Sequence, residues 1–200
     1  MFKIKTREKI LYSTLALAAE NGLGNVSLSM IANRVGIRKA TLFSHFKSKE
    51  DIIQSLYECL REQGQKKHNL SMDYDKFVQD KKAEDVLMEV VNNYRHMNAQ
   101  KDIADFYKFI YSERAINPSA AMIMLTETET MLRQTKNLLV AMKRNDILSF
   151  QGKDIELASI IFCLTIHELM DIENDRKVNS LDDYGEEIHN FIIGFCNLYA

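Results

Sequence analysis

VSLSMIANRVGIRKATLFSHFKSKEDII, residues 26–53, is the stretch on which the fold turns. Ser27 stands where a helix N-cap belongs, and Leu28, Ile31, Ala32 and Val35 follow at i, i+3, i+4 and i+7, one buried stripe of a short helix. Gly36 ends it, because a left-handed turn suits a residue without Cβ. A third helix, about Arg38 to Phe46, buries Leu42 and Phe46. Two short helices joined by a glycine turn, with Ala32, Gly36 and Leu42 at the close-packing points, make a helix-turn-helix. The second then offers a polar outer face that a major groove about 12 Å wide admits.

Working outward, residues 5–21 predict a preceding helix with Ile10, Leu11, Thr14, Leu17 and Ala18 on one face and Gly22 as its stop. Ser48 to Asp51 has the S-x-x-D form of a capping box and opens a fourth helix over about 48–68. The polar stretch Gly64 to Ser71 marks a boundary, and helices are expected at about 74–99 (broken near 81), 101–115, 118–145, 153–173 and 183–199. Pro118 fits a first turn, and Gly152 and Ser180 mark later breaks. A single proline and seven glycines in 200 residues disfavour a turn-rich β fold, so an all-α protein is predicted.

The net charge of −2 hides an asymmetry. Residues 1–50 carry nine Lys/Arg against three acids, which leaves an acidic remainder. A basic head on an acidic body suggests that the head alone meets a polyanion. Three cysteines without zinc-site spacing point to a reduced, intracellular protein. Lys3 to Lys9 followed by residues 10–18 imitates a secretory leader, but Glu8 interrupts the basic part and cleavage would destroy the first helix. No run approaches the roughly 18 apolar residues of a membrane span.

From Ile10-Leu11 through Ile53 the sequence resembles the TetR family DNA-binding domain, by the 26–53 segment above all, with Gly22, the Leu42/Phe46 spacing and the Lys-Ser-Lys-Glu start of the next helix. The resemblance implies a cytoplasmic, sequence-specific transcriptional regulator, not an enzyme: a homodimeric repressor that a small hydrophobic or aromatic ligand releases from double-stranded operator DNA. It divides the chain into a helix-turn-helix domain, 1–50, and a helical effector-binding and dimerisation domain, 51–200. By matching position, Arg38, Lys39, Thr41, Phe43, Ser44 and His45 face the groove, and Ser27 and Lys49 grip phosphates from helix starts. Three positions depart from the family habit. Phe43 replaces a common Tyr, Ser29 a common Arg or Lys, and Ala18 a common Phe, so fewer phosphate contacts are expected.

The second domain yields coarser expectations. Tyr94, Phe106, Tyr107, Tyr111, Met122, Met131 and His167 are candidate effector-pocket residues, although aromatics and methionines at helical spacing are core more often than not. Helix 153–173 is apolar nearly all round, so one face should pack inward and the other form an isologous seam. Ile160, Leu164, Ile188, Phe191, Ile192 and Phe195 are the predicted dimer interface. No cofactor and no metal are expected. Glu186 and His189 form an E-x-x-H, but the second copy and extra carboxylates of a di-iron bundle enzyme are missing. The other rival is an architectural DNA binder that answers to a protein partner.

If the basic head carries the DNA affinity, raising salt from about 50 to about 200 mM weakens binding by orders of magnitude, log K falling by about 0.9 per phosphate contact for each decade of salt. A filter-binding titration with a flat salt response contradicts this.

Overall fold

The computed structural model describes residues 5–68, 72–150, 154–182 and 184–200, and among these it contains ten α-helices and no strand. They are α1 (Thr6–Asn21), α2 (Leu28–Val35), α3 (Lys39–Phe43), α4 (Lys49–His68), α5 (Tyr74–Val78), α6 (Ala83–Asn98), α7 (Lys101–Glu113), α8 (Pro118–Arg144), α9 (Ile155–Val178) and α10 (Gly185–Tyr199). None is long and apolar enough to cross a membrane.

Packing groups the chain into two units, residues 1–70 with 98–127, and residues 71–97 with 128–200. α4, α7 and the start of α8 pack with the head. In the first unit, Ile10, Leu15 and Ala18 of α1, Ile31 and Ala32 of α2, Leu42 of α3, Phe46, and Ile52 and Leu56 of α4 share one core with Phe109 and Ile110 of α7. Burying Leu42 and Phe46 completely leaves the rest of α3 on the outside.

The local signals account for most boundaries. The Glu8 carboxylate accepts from the Lys5 backbone N–H at 3.2 Å and starts α1. Gly22, at φ +77° and ψ 141°, ends it in a conformation open to glycine rather than in a left-handed helical turn. Ser27 Oγ accepts from the Met30 N–H at 3.2 Å to cap α2, and Gly36 closes it in the left-handed region. Ser48 Oγ accepts from the Asp51 N–H at 3.1 Å, but the Asp51 carboxylate turns to the Lys47 N–H at 2.7 Å rather than closing a reciprocal box. The predicted break near residue 81 is a left-handed Asp80 between α5 and α6.

Two expected boundaries move. The third helix is shorter than 38–46: after Phe43 the chain tightens into a turn, although the Phe46 N–H still donates to Leu42 O at 3.1 Å. The helix expected to end at 173 runs to Val178, because residues 174–178 contain no breaker and Arg176 and Lys177 suit a C-terminal turn. It stops where Ser180 takes φ +55°. Gly152, Lys153 and the Asn69 to Ser71 end of the predicted boundary lie outside the described residues, as does Lys3.

The second unit is built on α6, α9, α10 and the later part of α8. Val86, Leu87, Leu139, Met142, Phe162, Ile166, Ile188, Ile192 and Phe195 form its core. Phe162, Phe195 and Tyr199 run as a ladder of rings 4.9 and 4.7 Å apart, and the backbone N–H of Ser149 ties down the end of α10 through Tyr199 O at 3.0 Å. Glu173, buried on α9, is held by Arg95 of α6 and by Lys177 at 3.1 Å, which gives a costly carboxylate its counter-charges.

Candidate nucleic-acid interface

The α2-turn-α3 corner sorts its side chains by chemistry. Ile31, Ala32 and Leu42 point inward, while Arg38, Lys39, Thr41, Phe43, Ser44 and His45 are all exposed, Phe43 by 49%. Among the described residues Arg38, Lys39, Lys47 and His45 have no ion-pair partner, so their charge and donors face solvent. Ser44 Oγ donates to Thr41 O at 2.6 Å, which leaves this hydroxyl mainly its acceptor capacity. Ser27 is exposed at the start of α2, its oxygen already engaged by the cap.

Arg34, Lys101, Arg7 and Lys49 of the first unit are occupied. Arg34 of α2 grips Glu20 of α1 with two hydrogen bonds of 2.8 and 2.9 Å, and this pairing holds the Glu20 carboxyl below its ordinary pKa. Lys101 of α7 lies 3.8 Å from the same carboxylate and 2.8 Å from Asp105. The Arg7 guanidinium lies over the Phe46 ring, 4.6 Å from its centroid, and donates to Ser55 Oγ at 2.9 Å. Lys49 Nζ donates to Leu23 O at 3.2 Å and Gly24 O at 3.4 Å, so it braces the turn before α2 with part of its donor capacity. Apart from the i, i+4 pair Lys101–Asp105, these partnerships are not visible in the sequence, since the partners lie 14 or more residues apart.

The expected effector residues fall into two groups, one in each unit. Tyr94, Met131 and His167 meet in the second: the Tyr94 ring stands edge-on to His167 at 4.9 Å, and its hydroxyl lies 3.5 Å from Met131 Sδ. In the first, Phe106 and Tyr107 lie 5.0 Å apart and Tyr107 and Tyr111 6.4 Å, with the Arg114 guanidinium over Tyr111. Met122 is 55% exposed.

Of the expected seam, Ile160 and Leu164 are exposed on α9, while Ile188, Ile192 and Phe195 are buried in the core of their own unit and Phe191 is partly buried. The exposed face reads Leu157, Ile160, Ile161 and Leu164, an i, i+3, i+4, i+7 stripe between 38 and 53% exposed. The periodicity of α10 fixes an apolar face but not its partner. Glu186 and His189 are exposed on α10, and no metal-ligating group of three His, Cys, Asp or Glu gathers among the described residues.

Comparison with known proteins agrees with this geometry. Residues 10–56 match the model of bacterial regulatory proteins of the tetR family. Over the whole chain, the fold is similar to that of Salmonella enterica GusR, at 17% identity and TM-score 0.63, covering 96% of this chain and 95% of that one. It is also similar to the fatty acid degradation regulator FadR from Bacillus halodurans, at 20% identity, TM-score 0.60 and 97% of each chain. E. coli NemR in its reduced form matches at 14% identity, TM-score 0.64 and 98% of each chain. The family match covers residues 10–56, and at 14 to 20% identity the whole-chain likenesses show a shared fold.

Burial pushes the His167 imidazole down from its ordinary 6.5 to about 4. The unfolded chain therefore takes up this proton first as the pH falls, so stability holds above about 6.5 and declines from there toward 4, by at most about 3 kcal/mol. Urea unfolding across this window should show that slope in the native protein and lose it in His167→Phe; an unchanged slope in the variant places its origin elsewhere.

Proposed function

We propose that the protein is a cytoplasmic transcriptional repressor that binds operator DNA as a homodimer, and that a small hydrophobic or aromatic molecule taken up by the helical region beyond residue 50 releases it. The observation that carries the DNA reading is the outer face of α3, where Arg38, Lys39, Thr41 and His45 stand exposed on a corner whose inner residues are wholly buried. Arg38, Lys39, Thr41, Ser44 and His45 supply hydrogen bonds to base edges and phosphates, Phe43 makes apolar contact, and Ser27 and Lys49 hold the backbone. Residues 1–50 then act as the reading domain and 51–200 as the sensing and pairing domain. The paired aromatics Tyr94 with His167, and Phe106 with Tyr107, support an aromatic or apolar effector.

Pairing is supported by the α9 stripe. An apolar i, i+3, i+4, i+7 face left outside a unit whose core is already complete is what a second copy covers in a two-fold seam, with Phe191 of α10 beside it. Two reading helices then meet successive major grooves. Ile160→Glu with Leu164→Glu places charges on this face without entering the core. The expected result is a folded monomer at micromolar concentration by sedimentation, with operator binding lost. A folded, dimeric variant would place the seam elsewhere, and a monomer that binds as tightly as before would contradict two-fold reading. Ile192→Glu, at a fully buried position, should instead unfold the chain.

A further inference from the structure

Leu42 is wholly buried and so defines the inward side of α3. At about 100° per residue, Ala40 and Ser44 fall nearly opposite it, with Phe43 on one flank and Thr41 on the other. All four are exposed, Phe43 by 49%. The face is defined as much by what it lacks: from Arg38 to Lys49 there is no Asp, Glu, Asn or Gln. A carboxylate is the group that accepts from cytosine N4, and a carboxamide is the one that holds adenine by two hydrogen bonds. The cations Arg38 and Lys39 suit guanine O6 and N7 or a phosphate, so an A·T pair has to be recognised by other means.

What this face offers is carbon and one acceptor. The Phe43 ring carries no hydroxyl, so it has only apolar contact to give. Ala40 adds a methyl group, and its shortness lets α3 come close to base edges. Ser44 Oγ already donates to Thr41 O at 2.6 Å, so toward a base it can only accept. In the major groove thymine alone presents a methyl group, on C5, and its adenine partner presents the N6 amino donor in the same base pair. A ring that takes a methyl, beside an oxygen that takes a proton, matches those two groups. A G·C pair offers a donor but no methyl.

We propose that Phe43 and Ala40 read a thymine in each operator half-site. The C5-methyl lies between the Ala40 methyl and the Phe43 ring, and Ser44 Oγ accepts from N6 of the paired adenine. Arg38, Lys39 and Lys47, on or beside the same short helix, supply the charge complementarity that holds this face against a polyanion. The inference rests on the operator reading proposed above and names the base pair, and the group on it, that the face selects.

Fragments selected from a random DNA pool by the full-length protein supply the probe, and each enriched thymine is then replaced in turn by deoxyuridine, which lacks only the methyl. In anisotropy titrations one thymine of each half-site should be sensitive, with a loss of about fourfold per half-site, the worth of one carbon taken from water. At that position 5-methylcytosine should bind more tightly than cytosine, for the same reason. Phe43→Ala changes an exposed side chain and keeps the fold, and in this variant the deoxyuridine loss should shrink to about twofold or less. An enriched motif with no sensitive thymine, a deoxyuridine loss equal in the native protein and in Phe43→Ala, or equal binding of cytosine and 5-methylcytosine overturns the thymine contact and leaves operator binding standing. No enriched sequence at all overturns the operator reading itself, and this contact with it.

Discussion

The complete burial of Leu42 and Phe46 in the core of the first unit is the constraint on which the rest of the interface depends. α3 has only five residues and could not hold a helical shape alone, since a turn or two of helix is marginal in water. Two inward anchors four residues apart fix which way it faces. The Gly36 turn sets its angle to α2, and Arg7 over Phe46 covers the anchor from the side of α1. Exposure of Arg38, Lys39, Thr41 and His45 is therefore a consequence of core packing, not of a separate device.

The same economy governs charge. The nine cations of residues 1–50 do not form a uniform polyanion-binding surface. Arg34 joins α1 to α2 through Glu20, Arg7 braces Phe46, and Lys49 steadies the turn at Leu23 and Gly24. Of the remaining described cations, Arg38, Lys39 and Lys47 lie on or beside α3, and Lys5 and Lys9 lie at the start of α1. Glu20 is also approached by Lys101, so α1, α2 and α7 meet at one carboxylate. Exposed pairs of this kind contribute little stability singly, and their value lies in fixing orientation.

The helix-turn-helix was legible in the sequence because its determinants are local: a cap at Ser27, a stripe of four residues, a glycine, and an anchor pair at Leu42 and Phe46. Helix breaks carried by special backbone were legible for the same reason, as at Gly22, Gly36 and Ser180. What stayed hidden depends on partners distant in sequence. The Tyr57 hydroxyl, without a partner among the described residues, becomes visible only when α4 lies on α7. The apolar surplus of α9 and α10 was evident, yet only packing distinguishes Ile192, which is buried in the core, from Leu164, which is left outside.

Selection of bound fragments from a random DNA pool by the purified full-length protein tests the central claim most directly. The account predicts a two-fold symmetric motif whose half-sites are centred roughly 34–36 Å apart, or a multiple of that, as two symmetry-related α3 helices require. An enriched motif without symmetry, or no enrichment above random DNA at physiological salt, would contradict it.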